Sequence, residues 1–182
     1  LLEAAMNLYD GEMLAAVALM IFLGVRPDSE IKYLTWGSIN WEDSEIRIVK
    51  GKVKSRRLVG LSENLIEWLK ICDHSKPLYL KTNFRRRMAA IRRTAGFKGG
   101  ETVPKSQESK ELARKKWVED YPRHTAISCH LRITDDYGKT ATWAGTSSKV
   151  IQESYDGLVP RSFSDEFWSI LPPQSEEQLS LF

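Results

Sequence analysis

Ile39-Asn40-Trp41, then Glu45-Ile46-Arg47-Ile48-Val49, then Arg57-Leu58-Val59 is the stretch whose reading decides the fold. Here the spacing of apolar residues changes from helical to alternating, which reads as three short strands. Asp43-Ser44 and Gly51 supply the turn residues between them. On both sides the pattern is helical. Leu14, Val17, Ala18 and Ile21 mark a largely buried helix over 11–23 that Gly24 ends, and Pro27 is placed to start another with Glu30, Ile31 and Leu34. After the strands, Ser62 is a serine cap for a helix through Asn64, Leu65, Ile66, Trp68 and Leu69. Residues 83–95 read as a very basic helix and 96–107 as a loop. Helices follow over 108–119, 124–133, 137–144 and 147–155, with a short apolar one near 163–171. The expected architecture is mainly α with a small three-stranded antiparallel sheet (α+β), in one domain over 1–171. The polar run 172–182 reads as a loosely held tail.

Composition narrows the function classes. At 182 residues with 42% hydrophobic and 28% charged residues, the chain suits one domain with its own core. The apolar run 13–25 is too short for a membrane span, and no signal peptide opens the sequence. The start at Leu1, without Met, reads as the C-terminal half of a longer protein. Cys72 and Cys129 stand far apart and His74, His124 and His130 lack paired spacing, so neither a disulfide nor a metal site is expected. The net charge of +3 conceals an asymmetry: six of the eleven residues 47–57 are basic. A second cluster holds Arg85, Arg86, Arg87, Arg92, Arg93 and Lys98, and a third Arg114, Lys115 and Lys116. Three basic clusters followed by an acidic tail point to a polyanion-binding body.

Four short motifs occur in order. Gly24-Val25-Arg26-Pro27-Asp28-Ser29-Glu30-Ile31 leads to Leu34-Thr35-Trp36; Lys52 lies in the basic turn before Arg57-Leu58-Val59; Tyr121-Pro122-Arg123-His124-Thr125 opens a helix; and Trp143-Ala144-Gly145-Thr146 precedes Ser154-Tyr155. In order and spacing these resemble the first box, lysine hairpin, second box, third box and nucleophile helix of the tyrosine recombinase (phage integrase) family, over nearly the whole chain. The resemblance implies the catalytic-domain fold of that family and metal-independent, cofactor-free DNA cleavage and rejoining through a 3′-phosphotyrosine. It implies Tyr155 as nucleophile, Arg26 and Arg123 as phosphate clamps, and Lys52 as the acid for the departing 5′ oxygen. Lys54 is the rival for that last role, and counting back from Arg57-Leu58-Val59 favours Lys52.

These residue types fit the chemistry. A phenol with an ordinary pKa of about 10 needs cations to become a nucleophile at neutral pH. Arginine presents a planar fork to phosphate oxygens, and lysine a titratable proton. Three positions depart from the family pattern: Asp120 and Ser154 stand where histidine is usual, and Thr146 where histidine or tryptophan is. Asp120 is read as a proton acceptor for Tyr155 or a partner that orients Arg123, and Thr146 as a single hydrogen-bond donor to phosphate.

The expected partner is double-stranded DNA, contacted by Lys54, Arg56, Arg57, Arg85, Arg86, Arg87, Arg92 and Arg93, largely at phosphates. The resemblance further implies self-association on DNA, a synaptic tetramer for the full protein with the isolated domain a monomer, and action on a prokaryotic or phage-derived chromosome in the cytoplasm. Competing expectations are a recombinase-like DNA-binding module that has lost cleavage, a type IB topoisomerase-like enzyme, and a helical RNA-binding or scaffold protein. The last would leave Arg26, Lys52, Arg123 and Tyr155 scattered rather than gathered.

Overall fold

Helix α2 (Leu14–Phe22) is apolar on every side, so it can be stable only when surrounded. Neighbouring helices enclose it. The structure, a computed structural model, describes residues 1–50, 55–97, 117 and 120–173. Helix α1 (Leu2–Asn7) precedes α2; α3 (Glu63–Lys70) and α4 (Phe84–Thr94) follow the sheet; α5 (Tyr121–Thr134), α6 (Tyr137–Ala144), α7 (Ser148–Tyr155) and α8 (Arg161–Trp168) complete the described helices. Helices α1, α3 and α5 pack directly on α2. Among the described residues no helix is long and apolar enough to cross a membrane.

The three expected strands form one antiparallel sheet in the order β1 (Ile39–Asn40), β2 (Glu45–Lys50), β3 (Ser55–Gly60). Its register pairs Ile39 with Ile46, Ile46 with Val59 and Ile48 with Arg57. Opposed residues in a sheet share a face, so Ile39, Ile46, Ile48, Val59 and Arg57 all point inward. Arg47, Arg56 and Leu58 point to solvent and are exposed.

Two expectations need correction. Residues 27–34 do not form an α-helix: a turn leads into a short 3₁₀ segment, Ile31–Tyr33. The cause lies in Glu30, whose carboxylate folds back to accept the Arg26 backbone N–H at 2.9 Å, while the Arg26 carbonyl accepts from both Glu30 and Ile31 N–H. Helix α5 begins at Tyr121 rather than 124, with Pro122 in its first turn, where proline's missing N–H costs nothing. Ser62 does stand at the start of α3, but its buried hydroxyl makes no capping bond. Of the expected loop 96–107 and helix 108–119 only residues 96, 97 and 117 are among the described residues; Lys98, Arg114, Lys115 and Lys116 lie outside them, as does the tail beyond 173.

The last helix folds back on its own domain. Phe167 packs against Phe22 with ring centroids 5.3 Å apart, the Ser164 hydroxyl donates to the Cys129 carbonyl at 2.9 Å, and the Trp68 indole N–H donates to the Ile170 carbonyl at 3.1 Å. Both cysteines are free thiols.

Candidate active site

The site is assembled around one helix end. Helix α6 stops at Gly145, whose φ of +64° only glycine adopts freely. The Thr146 and Gly145 N–H groups bond back to the Ala141 and Thr142 carbonyls, the paired closure of a Schellman motif. That leaves the next three carbonyls without a helical partner. Each takes an arginine from a different part of the chain. Arg57 Nε donates to the Trp143 carbonyl at 3.1 Å, Arg123 Nη2 to Ala144 at 2.7 Å, and Arg26 Nη2 to Gly145 at 3.4 Å. The partial negative charge at a helix C-terminus adds to the attraction.

Glu30 completes the cluster and is fully buried. Its carboxylate accepts Arg57 Nη1 at 2.6 Å and Nη2 at 3.2 Å, and Arg26 Nη1 at 2.8 Å. Burial alone would raise its pKa, but the hydrogen bonds from Arg57 and from the Arg26 backbone, with both arginine charges, outweigh burial and hold it below the ordinary range.

Arg123 is buried and its fork is held by neutral groups: Nη1 donates to the Gly24 carbonyl at 2.5 Å and Nη2 to Ala144. Among the described residues no carboxylate pairs with it. Burial, and then the like charge of Arg26, pulls its pKa down to about 10, while Glu30 and Tyr155 act the other way. Gly24 sits in the left-handed region at φ +61°, and a side chain there would be tight against Ala126 at 3.3 Å and in ordinary contact with Arg123 at 3.6 Å. Glycine therefore both ends α2 and lets α5 approach closely at Ala126.

Tyr155, at the end of α7, is buried between α5, α6 and α7 with Ile127, Leu131 and Ile151. The His124 ring stacks on it at 5.1 Å. Burial pushes its pKa up; Arg123 and Arg26 pull it down, and Asp120 pushes it up again, leaving it raised. Asp120 is exposed at the N-terminus of α5, in the left-handed conformation at φ +61°. Thr146 is half-buried directly after Gly145.

The sequence-derived residues Arg26, Arg123 and Tyr155 are thus brought within electrostatic reach of one another, with Asp120 at the edge and Thr146 beside the carbonyl end. Lys52 and Lys54 lie outside the described residues. Glu30, quoted within the first motif, was given no role there; the signal was a carboxylate four residues after an arginine, both next to buried apolar positions.

The described basic residues expected at DNA divide into three groups. Arg56, Arg85, Arg86 and Arg93 are exposed. Arg85 and Arg86 line a cleft of about 860 Å³ together with Lys32 and Lys81, and the same cleft reaches Arg123 and Asp120. Arg92 is half-buried over the Trp117 ring, 4.8 Å from its centre. Arg57 and Arg87 depart from the expectation. Arg57 faces inward and spends its donors on Glu30 and Trp143, and Arg87 pairs with Glu12 and covers the Tyr9 ring. Both are engaged within the protein rather than displayed to a ligand.

No protein-family model matches the sequence, and no curated protein matches it either. Among solved structures, 95% of the chain aligns with the crystal structure of XerA recombinase at a TM-score of 0.56 and 20% sequence identity. The chain spans 62% of that protein's length. What this likeness establishes is the fold: a mainly helical domain with a small three-stranded antiparallel sheet, matching that of a recombinase catalytic domain.

Proposed function

We propose that this chain carries the DNA-cleaving and rejoining site of a tyrosine recombinase, acting on double-stranded DNA with Tyr155 as nucleophile. The observation that carries this reading is a surplus of positive charge beside a buried phenol. Three arginines, 26, 57 and 123, gather round one carboxylate: Glu30 pairs directly with Arg26 and Arg57, while Arg123 is buried against the neutral Gly24 and Ala144 carbonyls. A buried cation without a counter-charge is costly. A phosphodiester seated on Arg123 and Arg26 supplies the missing anion, and the same cations then favour the Tyr155 phenolate.

In this reading the Tyr155 oxygen forms a bond to the scissile phosphorus as the bond to the 5′ oxygen breaks. Arg26 and Arg123 hold the non-bridging oxygens. The phenol proton leaves at the mouth of the site, past Asp120, and the 5′ oxygen takes a proton from Lys52. The phosphotyrosine conserves the ester for attack by a second 5′ hydroxyl, so joining two DNA partners calls for several copies assembled on paired sites. Exposed Arg85 and Arg86 at the N-terminus of α4, where helix dipole and side chains both favour anions, track the flanking phosphates.

The competing reading, a DNA-gripping module without cleavage, draws on the raised pKa of Tyr155 in the free protein. Nicked suicide duplexes from the boundaries of the protein's own genetic element separate the two. The wild-type protein is expected to give a denaturation-resistant DNA adduct that Tyr155→Phe does not. DNA binding without any adduct would favour the gripping module.

A further inference from the structure

We infer that Arg57 is a positioning residue for strand cleavage, a clamp that fixes Glu30 and the α6 carbonyl end and through them sets Arg26 for the scissile phosphate. The inference rests on the DNA-cleaving reading of the site and adds to it a residue that touches no DNA.

The argument begins with the pleat. Arg57 pairs across the sheet with Ile48, so it shares the inward face with Ile46 and Val59. An arginine on a core face must satisfy its fork internally. It does so with two hydrogen bonds to Glu30, at 2.6 and 3.2 Å, and one to the Trp143 carbonyl at 3.1 Å. One guanidinium thereby ties β3, the strand that follows Lys52 in sequence, to the turn carrying Arg26 and to the end of α6. Its plane lies so close to Gly145 that a Cβ there would stand 2.5 Å from Nη1. The bare glycine is the space Arg57 occupies.

Glu30 is also the handle on Arg26, accepting both its backbone N–H and its guanidinium. The charged groups facing Glu30 are Arg26 from its own turn, Arg57 from β3 and Arg123 from α5. With Arg57 in place the carboxylate is shared between two arginines, so Arg26 is oriented without being fully neutralised. Without Arg57, Glu30 has Arg26 as its remaining direct partner, and Arg26 is drawn from the phosphate toward it.

The test measures adduct formation at saturating nicked DNA, the salt dependence of DNA binding, and thermal melting. It compares wild type, Arg57→Met, Arg57→Lys, Glu30→Gln and the Glu30→Gln/Arg57→Met pair. For Arg57→Met the single-turnover rate is expected to fall roughly tenfold to a hundredfold, the scale of a misplaced binding group, with DNA affinity and its salt slope unchanged. The acid limb of the rate–pH profile is expected to move to higher pH, because Glu30 loses the hydrogen bond that keeps it ionised. Arg57→Lys, with charge but no planar fork, should recover the rate only in part. Adding Arg57→Met to Glu30→Gln should cost little more than Glu30→Gln alone.

A normal rate with weaker, less salt-dependent binding would overturn the inference and make Arg57 a phosphate contact. A rate lowered equally at all pH, in step with lost melting stability, would overturn it in favour of a purely structural residue. Should Arg57→Met fail to melt cooperatively, Arg57→Lys decides on the same readouts. Absence of an adduct from wild type overturns the cleavage reading itself, a distinct result from a wild-type adduct that Arg57 variants leave untouched.

Discussion

Glu30 shows how much one residue can hold and how little of that its sequence position announces. It is fully buried and bonded to Arg26 and Arg57. Glu30→Gln leaves two arginines short of their counter-charge in a mostly dry site, so a loss of about 3–5 kcal/mol is expected in urea unfolding. Its pH signature has a definite sign. The carboxyl is held low in the folded state, so its stabilisation is complete above the ordinary Glu value of about 4.3 and is lost as pH falls through the lowered folded one. Wild type should therefore lose melting temperature on acidification below that range, and Glu30→Gln should lose less. Asp120 works in the opposite sense. Its charge raises the Tyr155 pKa, so Asp120→Asn should speed adduct formation roughly two- to tenfold at neutral pH and shift the rate profile to lower pH. A slower variant would make Asp120 the proton acceptor. Arg26, Arg123 and Tyr155 could be picked out of the sequence as candidates because each sits in a short motif. The part played by Glu30 could not, since its second partner, Arg57, comes from a strand 27 residues further on.

At the scale of elements, strand parity and helix closure explain most of the geometry. The alternation of 57–61 puts Val59 and Leu61 in the core, and the same period places Arg57 there too. That signal was present in the sequence and was masked by the basic run around it, which reads as a charged surface. The turn at 27–30 was hidden for a different reason. Pro27 followed by apolar spacing suits a helix, but the Glu30 carboxylate, bonded back to the Arg26 N–H and across to Arg57, holds a turn instead. The end of α6 is the most sensitive point. Gly145→Ala would force a Cβ into the Arg57 guanidinium and a non-glycine residue into φ +64°. The expected loss is about 1–3 kcal/mol, seen as a lower melting temperature, together with a slower cleavage step as Arg57 is displaced.

Across the whole molecule, the sheet, most helices and their order were readable from periodicity and turn residues, and the fold they predict is the one observed. Packing was not readable. Nothing in the sequence told that α8 returns to its own domain through Phe167 on Phe22, or that three consecutive carbonyls at the end of α6 would gather three arginines. Both depend on which faces meet, which spacing along the chain does not encode. The gathering gives the proposed chemistry its physical basis, because it concentrates positive charge beside Tyr155 with, among the described residues, a single buried carboxylate to offset it. The most direct test is to trap the protein on nicked DNA, digest the adduct with nuclease and trypsin, and locate the attached nucleotide by mass spectrometry. The account predicts a nucleotide 3′-phosphate on the tyrosine of tryptic peptide 150–161; attachment at any other side chain, or unmodified peptide from protein that still binds the DNA, would contradict it.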